Sequence, residues 1–159
     1  MTDRLALDFV AAAMRDYGPA GQAGPGRIRI ATTPDKIQEA IRVCQGALQC
    51  DRLITISSAD NGTTLELIYH LTGPHRTILS LSISLPRDAP KTPTLSDILP
   101  PAGIYERQIH DLLGIVFLGH PGLKRIVLNE EWPENEFPLR KDWKPGPDTW
   151  YGGIREGRT

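Results

Sequence analysis

The 159-residue chain lacks any run of about 18 apolar residues, so no helix drawn from it is expected to cross a bilayer. It also lacks an excess charge. Eighteen basic residues against 19 acidic ones leave a formal net charge of −1, too little for a general grip on nucleic acid or anionic lipid. Cysteine is scarce: Cys44 and Cys50 form no CxxC element and have no cluster spacing. Cys44 falls on the apolar face of an expected helix, where it reads as a buried thiol rather than a ligand or disulfide partner. The chain opens Met-Thr-Asp-Arg with Asp8 close behind, which is not a secretory signal, so a cytosolic setting is expected. In that setting Asn61-Gly-Thr63 is a hairpin turn rather than a glycosylation site.

Catalytic patterns are missing too. No Gly-x-Ser-x-Gly elbow and no phosphate loop occur, and Gly24-Pro-Gly26 precedes a strand where a dinucleotide motif must follow one. Glu66 and Asp111 could be imagined as a carboxylate pair, but nothing in the sequence brings them together. Glu106 and His110 share helical spacing, yet a zinc site needs at least three protein ligands. His70, His75 and His120 are scattered over a strand and two turns. A helix-surface ion pair or a partner contact is the expected use of Glu106 and His110.

What is present reads as one α+β domain large enough for a core. A first helix is expected over residues 3–17, capped by Thr2 or Asp3, with Leu5, Phe9, Ala13 and Tyr17 along one side. Four glycines and two prolines make 18–26 a loop. Arg27 to Ala31 alternates as a half-buried strand should. Thr33-Pro34 starts a second helix with Ile37, Ala40, Ile41, Cys44 and Leu48 on one face. Three strands follow, from Leu53, around Leu65–Leu71 and around Leu79–Leu85, the first two joined at Asp60-Asn61-Gly62. Leu65, Leu67, Tyr69 and Leu71 share one face, as do Leu79, Leu81, Ile83 and Leu85. The order predicts a two-layer sandwich, with a mixed, mostly antiparallel sheet of four to five strands and helices on one face. Five prolines within 86–101 predict an irregular crossing, with a brief turn at Leu95 to Ile98.

After Pro100-Pro101 comes the densest stretch. Tyr105, Ile109, Leu112 and Leu113 lie on one helical face, Glu106, Arg107, His110 and Asp111 mostly off it, and Gly114 is a stop. Ile115 to Leu118 reads as a short strand or buried extended segment, 119–122 as a turn, and Ile126 to Leu128 as a second apolar run. Arg107 and Asp111 could form a helix ion pair, but that contributes only ~0.3–0.5 kcal/mol. Arg107, Arg125, Arg140 and Lys141 therefore suit fixed interface contacts better than a stability role, although a solvated charged face accounts for them as well.

Residues 129–159 form an extended C-terminal tail beyond a 1–128 body. The tail holds Trp132, Phe137, Trp143, Trp150 and Tyr151, half the aromatics of the chain, among Pro133, Pro138, Pro145 and Pro147. The prolines exclude a long helix or central strand. Such rings either dock on another protein or wrap their own domain; three anchored rings could supply several kcal/mol of binding at ~150–250 Å² each.

Three blocks in order, Glu106-Arg-x-x-x-Asp-Leu-Leu-Gly-Ile115, His120-Pro-x-Leu-x-Arg-Ile126 and Pro138-Leu-Arg-Lys-Asp142, resemble the signature of the 30 kDa subunit of NADH–quinone oxidoreductase, respiratory complex I. The same subunit type occurs in membrane-bound, energy-converting nickel–iron hydrogenases. Gln108 stands where the family usually has Glu, and His110 where the respiratory branch usually has an aromatic. Trp132-Pro133 is closer to the hydrogenase branch. The resemblance implies a non-catalytic structural or assembly subunit of a membrane-associated oxidoreductase complex, clamping its large, hydrogenase-like catalytic subunit beside iron–sulfur subunits. Iron–sulfur clusters and nickel–iron or flavin centres would lie on those partners and none on this chain. The chain would sit peripherally on the cytoplasmic side of the membrane, held there through the complex. Glu106, Arg107, Asp111, Gly114, His120, Pro121, Arg125 and Trp132, with Pro138, Leu139, Arg140, Lys141, Asp142 and Trp143, are then implied for the partner interface or its internal bracing. The alternatives are the 30 kDa subunit of the respiratory enzyme proper and a stand-alone small enzyme using His110 and His120.

Overall fold

A computed structural model describes residues 3–146. In chain order the elements are α1 (Leu7–Ala13), β1 (Ala20–Gly24), β2 (Arg27–Ala31), α2 (Ile37–Gly46), β3 (Arg52–Asp60), β4 (Thr64–Thr72), β5 (Ile78–Pro86), β6 (Lys91–Pro93), α3 (Ala102–Leu113) and β7 (Val116–Leu118). The main sheet runs β1-β2-β5-β4-β3 and is antiparallel except between β2 and β5. β6 and β7 form a separate parallel pair. This is the expected α+β arrangement with a mixed sheet.

Period-two alternation builds the centre of the sheet. Leu65, Leu67, Tyr69 and Leu71 of β4 face Leu85, Ile83, Leu81 and Leu79 of β5 across the ladder, and all eight are buried. Ile28 and Ile30 of β2 join the same core, covered by Val10 and Met14 near α1 and by Ile37, Ala40, Ile41 and Cys44 of α2. The β3–β4 turn falls at the expected place. Gly62 takes φ +90°, the Asn61 amide donates to the Thr64 carbonyl at 2.9 Å, and Asp60 Oδ1 accepts from the Gly62 amide at 2.8 Å. Both cysteines are free and buried, and burial pushes the Cys44 thiol up to about 12 and Cys50 to about 11.

Three local expectations fail for identifiable reasons. The Leu5 amide donates to Thr77 Oγ1, which holds the segment before Leu7 to β5's approach and out of α1. The short helix then buries Val10, while Phe9 is 53% exposed. Residues 18–26 are not all loop, because β1 pairs with β2 through backbone bonds that need no side-chain pattern. Pro34 lies in a turn closed by Lys36 on Thr33, and α2 starts at Ile37. The apolar run Ile126 to Leu128 stays irregular, its amides drawn to the Asp111 carboxylate. No described helix is long and apolar enough to cross a membrane.

Candidate functional site

Helix α3 is the post around which the second half of the chain is tied. It ends at Gly114, whose φ of +74° turns the backbone sharply into β7. Seen from the sequence, its charges should face solvent. Instead Glu106 and Asp111 are buried, because each meets a ring of donors.

Asp111 Oδ2 accepts from the amides of Ile126 (2.7 Å), Val127 (2.9 Å) and Leu128 (3.4 Å). Arg107 does not pair with Asp111. Its Nε donates to the Lys124 carbonyl at 3.0 Å and its Nη2 to the Arg125 carbonyl at 2.9 Å. Arg125 in turn donates to the carbonyls of Asn129 (3.1 Å) and Trp132 (2.6 Å). One guanidinium thus passes the loop to the next.

Glu106 accepts from the Leu95 amide at 2.7 Å and from the Thr94 hydroxyl. Burial raises its pKa despite those donors. His120 Nε2 donates to the Gly103 carbonyl at 3.0 Å, and Nδ1 accepts from the Gly122 amide at 3.0 Å, which fixes the tautomer. The His120 ring lies 4.0 Å from Glu106 Oε2, so His120 is Glu106's histidine neighbour, not His110. His110 is occupied elsewhere, its Nδ1 2.9 Å from the Ile115 carbonyl. The expected Glu106/His110 surface pair is therefore not formed, and the two histidines serve separate turns. Pro121 is exposed beside His120.

The Pro138 to Asp142 block lies against the end of α3. A Cβ on Gly114 would meet the Phe137 ring at 2.5 Å, so glycine alone leaves that ring its seat. The Leu139 amide donates to the Leu112 carbonyl at 3.1 Å, and Arg140 Nε donates to the Leu113 carbonyl at 2.8 Å with its guanidinium 4.8 Å above the Phe137 ring. The Lys141 amide donates to Asp60 Oδ2 at 2.9 Å. Arg87 bridges Asp60 (2.9 Å) and Asp142 (2.5 Å), which holds the Asp60 carboxyl well below the usual carboxylate range. Trp132 and Trp143 stack with centroids 5.7 Å apart, and their indole nitrogens donate to the Glu136 carbonyl (2.9 Å) and carboxylate (3.1 Å). The tail through residue 146 therefore lies on its own body; Pro147, Trp150 and Tyr151 fall outside the described residues.

The sequence assigns no role in this site to Asp60, Arg87, Thr94 or Phe137: Asp60 reads only as a turn residue and Phe137 only as a tail aromatic. The residues left outward include apolar ones: Ile126, Val127 and Leu139 are 44%, 53% and 56% exposed on segments anchored by the bonds above. A cleft of about 210 Å³ opens between α3 and 133–137, lined by His110, Asp111, Arg125 and Phe137 among others. Among the described residues no three His, Cys, Asp or Glu side chains are placed to hold a metal ion. The arrangement fixes the course of the chain from 119 to 143 on α3 and β7.

The family described as respiratory-chain NADH dehydrogenase, 30 kDa subunit, matches residues 30–149. A subunit of the F(420)H(2) dehydrogenase of Methanosarcina mazei is 37% identical over 132 residues, covering 81% of this chain and 83% of that protein. A subunit of the NADH-quinone oxidoreductase of Novosphingobium aromaticivorans is 29% identical over 94% of this chain, which spans only 48% of that relative's length. Among solved structures, a trypsin-resistant fragment of Nqo5 superposes with a TM-score of 0.61 at 25% identity, over 74% of this chain and 96% of the fragment. A polypeptide of the archaeal membrane-bound sulfane sulfur reductase shares the fold, with a TM-score of 0.77 at 24% identity over 86% of this chain and 84% of its own.

Proposed function

The chain belongs to the 30 kDa subunit family of respiratory-chain NADH dehydrogenase, and we propose that it is a structural, non-catalytic subunit that clamps the large catalytic subunit of a membrane-associated oxidoreductase complex. Its relatives are named as subunits of NADH-quinone oxidoreductase and F(420)H(2) dehydrogenase. The observation that carries the proposal is the direction of the signature side chains. Arg107, Asp111, Arg125 and Arg140 all end on this chain's own backbone. Charge-assisted bonds of this kind contribute about 1.5–3 kcal/mol each, several times an exposed ion pair. They hold irregular segments still, and those segments carry exposed Ile126, Val127 and Leu139. Exposed apolar side chains held on fixed, proline-broken segments suit a permanent contact between subunits.

In this reading the redox work belongs to neighbours. Iron–sulfur clusters, with nickel–iron or flavin centres, sit on a hydrogenase-like large subunit and on iron–sulfur subunits. The chain stays peripheral, on the cytoplasmic side, held to the membrane by the complex. Affinity purification of the tagged chain from native membranes tests the reading. Recovery of a large hydrogenase-like chain with iron–sulfur chains is the expected result; recovery of the tagged chain alone contradicts it. A nickel–iron partner would assign the hydrogenase branch, and a flavin-bearing NADH module the respiratory one.

A further inference from the structure

The face of the main sheet turned away from the helices is not an ordinary solvated one. Ile54 of β3 is 43% exposed there, and Ile68 of β4 and Ile78 of β5 are half-buried beside it. With Arg27, Arg29 and His70 they line a groove of about 400 Å³. Arg29 is satisfied by Glu66, and its Nε donates to Ser82 Oγ at 3.3 Å. The Arg27 side chain has no carboxylate partner among the described residues. His70 is pinned between Ser57 Oγ at 3.0 Å and Ser80 Oγ at 2.9 Å. Burial, and then Arg27 and Arg29, lower its pKa, so the ring adds no charge at neutral pH. Two guanidiniums against one carboxylate leave the groove one positive charge in surplus, set among isoleucines.

We propose that this groove receives an acidic segment of a neighbouring subunit, a carboxylate on Arg27 and aliphatic side chains over Ile54, Ile68 and Ile78. The proposal rests on the subunit reading above but concerns a different surface from that of Val127 and Leu139. Charge complementarity selects the occupant: a basic segment would meet an unneutralised arginine, and a purely apolar one would bury it unpaired.

The test is site-specific photo-crosslinking in the assembled complex, with the reactive side chain at Ile54 or, separately, at Val127. An Ile54 crosslink to an Asp- or Glu-containing peptide of another subunit supports the proposal. Arg27→Glu should then cut that crosslink about ten-fold, the scale of one lost charge-assisted contact, while Arg27→Lys largely restores it. Val127 crosslinks should be unchanged by either substitution. The proposal is overturned if Val127 crosslinks while Ile54 yields nothing. It is equally overturned if Ile54 captures residues 147–159 of its own chain, a second copy or a segment without acidic residues, or if Arg27→Glu has no effect. Loss of both crosslinks would instead bring down the subunit reading, and this proposal with it.

Discussion

Arg107 and Asp111 stand one turn apart on α3 and, instead of pairing, grip the same loop through groups of opposite polarity. The guanidinium takes the carbonyls of Lys124 and Arg125, while the carboxylate takes the amides of Ile126, Val127 and Leu128. A surface pair between them would contribute ~0.3–0.5 kcal/mol; satisfying part-buried backbone is worth more per bond.

Asp111→Ala leaves three amides without an acceptor and should destabilise the chain by about 2–3 kcal/mol. Asp111→Asn keeps one acceptor oxygen and should cost less. Urea denaturation gives the ordering, and faster hydrogen exchange at 126–128 gives the location. Equal exchange in wild type and Asp111→Ala would show that the carboxylate does not hold the loop.

Gly114→Ala carries two separate penalties. A left-handed alanine costs about 1 kcal/mol, and its methyl displaces the Phe137 ring. The ring's departure should free the Leu139 and Arg140 contacts and expose 133–143 to protease. In Gly114→Ala/Phe137→Ala the second penalty vanishes, so the two substitutions should be less than additive. Strict additivity would mean that Phe137 does not occupy that seat.

Glu106 makes stability fall with rising pH. Its folded pKa is raised above the ordinary value of 4.5, so the folded chain binds the proton more tightly than the unfolded one. The stabilisation is complete below that ordinary value and is lost as pH climbs through the raised one. Glu106→Gln has no such proton. Denaturation midpoints at pH 5 and pH 8 should show the variant gaining on the wild type at the higher pH; parallel profiles would contradict the assignment.

Asp60 acts with the opposite sign. Its folded pKa is depressed by Arg87, so its contribution is present above the ordinary aspartate value of 3.8 and fades as pH falls toward the folded one. Thermal melts below pH 4 should drop more steeply for wild type than for Asp60→Asn. Protease access to residues near Lys141 should rise in the same range, because the same carboxylate holds that amide.

Periodicity alone makes part of this legible in the sequence. The alternation of β4 and β5, the apolar face of α2 and the Asp60-Asn61-Gly62 turn each follow from local spacing, and each stands where expected. β1 was invisible because backbone pairing alone makes it. Glu106 and Asp111 were misplaced for another reason. Charge implies solvent unless donors are supplied, and the donors come from Thr94, Leu95 and residues 126–128, outside the helix itself. The Asp60–Arg87–Asp142 clasp joins three distant segments with no shared pattern. Order of the motif blocks identified the family; only the fold revealed that Glu106, Arg107, Asp111, Arg125 and Arg140 turn onto the chain itself.

The central claim is that inward bracing of 119–146 serves an outward contact with a partner subunit. Hydrogen exchange of this chain, alone and within the purified complex, tests it most directly. The account predicts added protection at Val127 and Leu139 in the complex. Identical exchange across 119–146 in both states would contradict it.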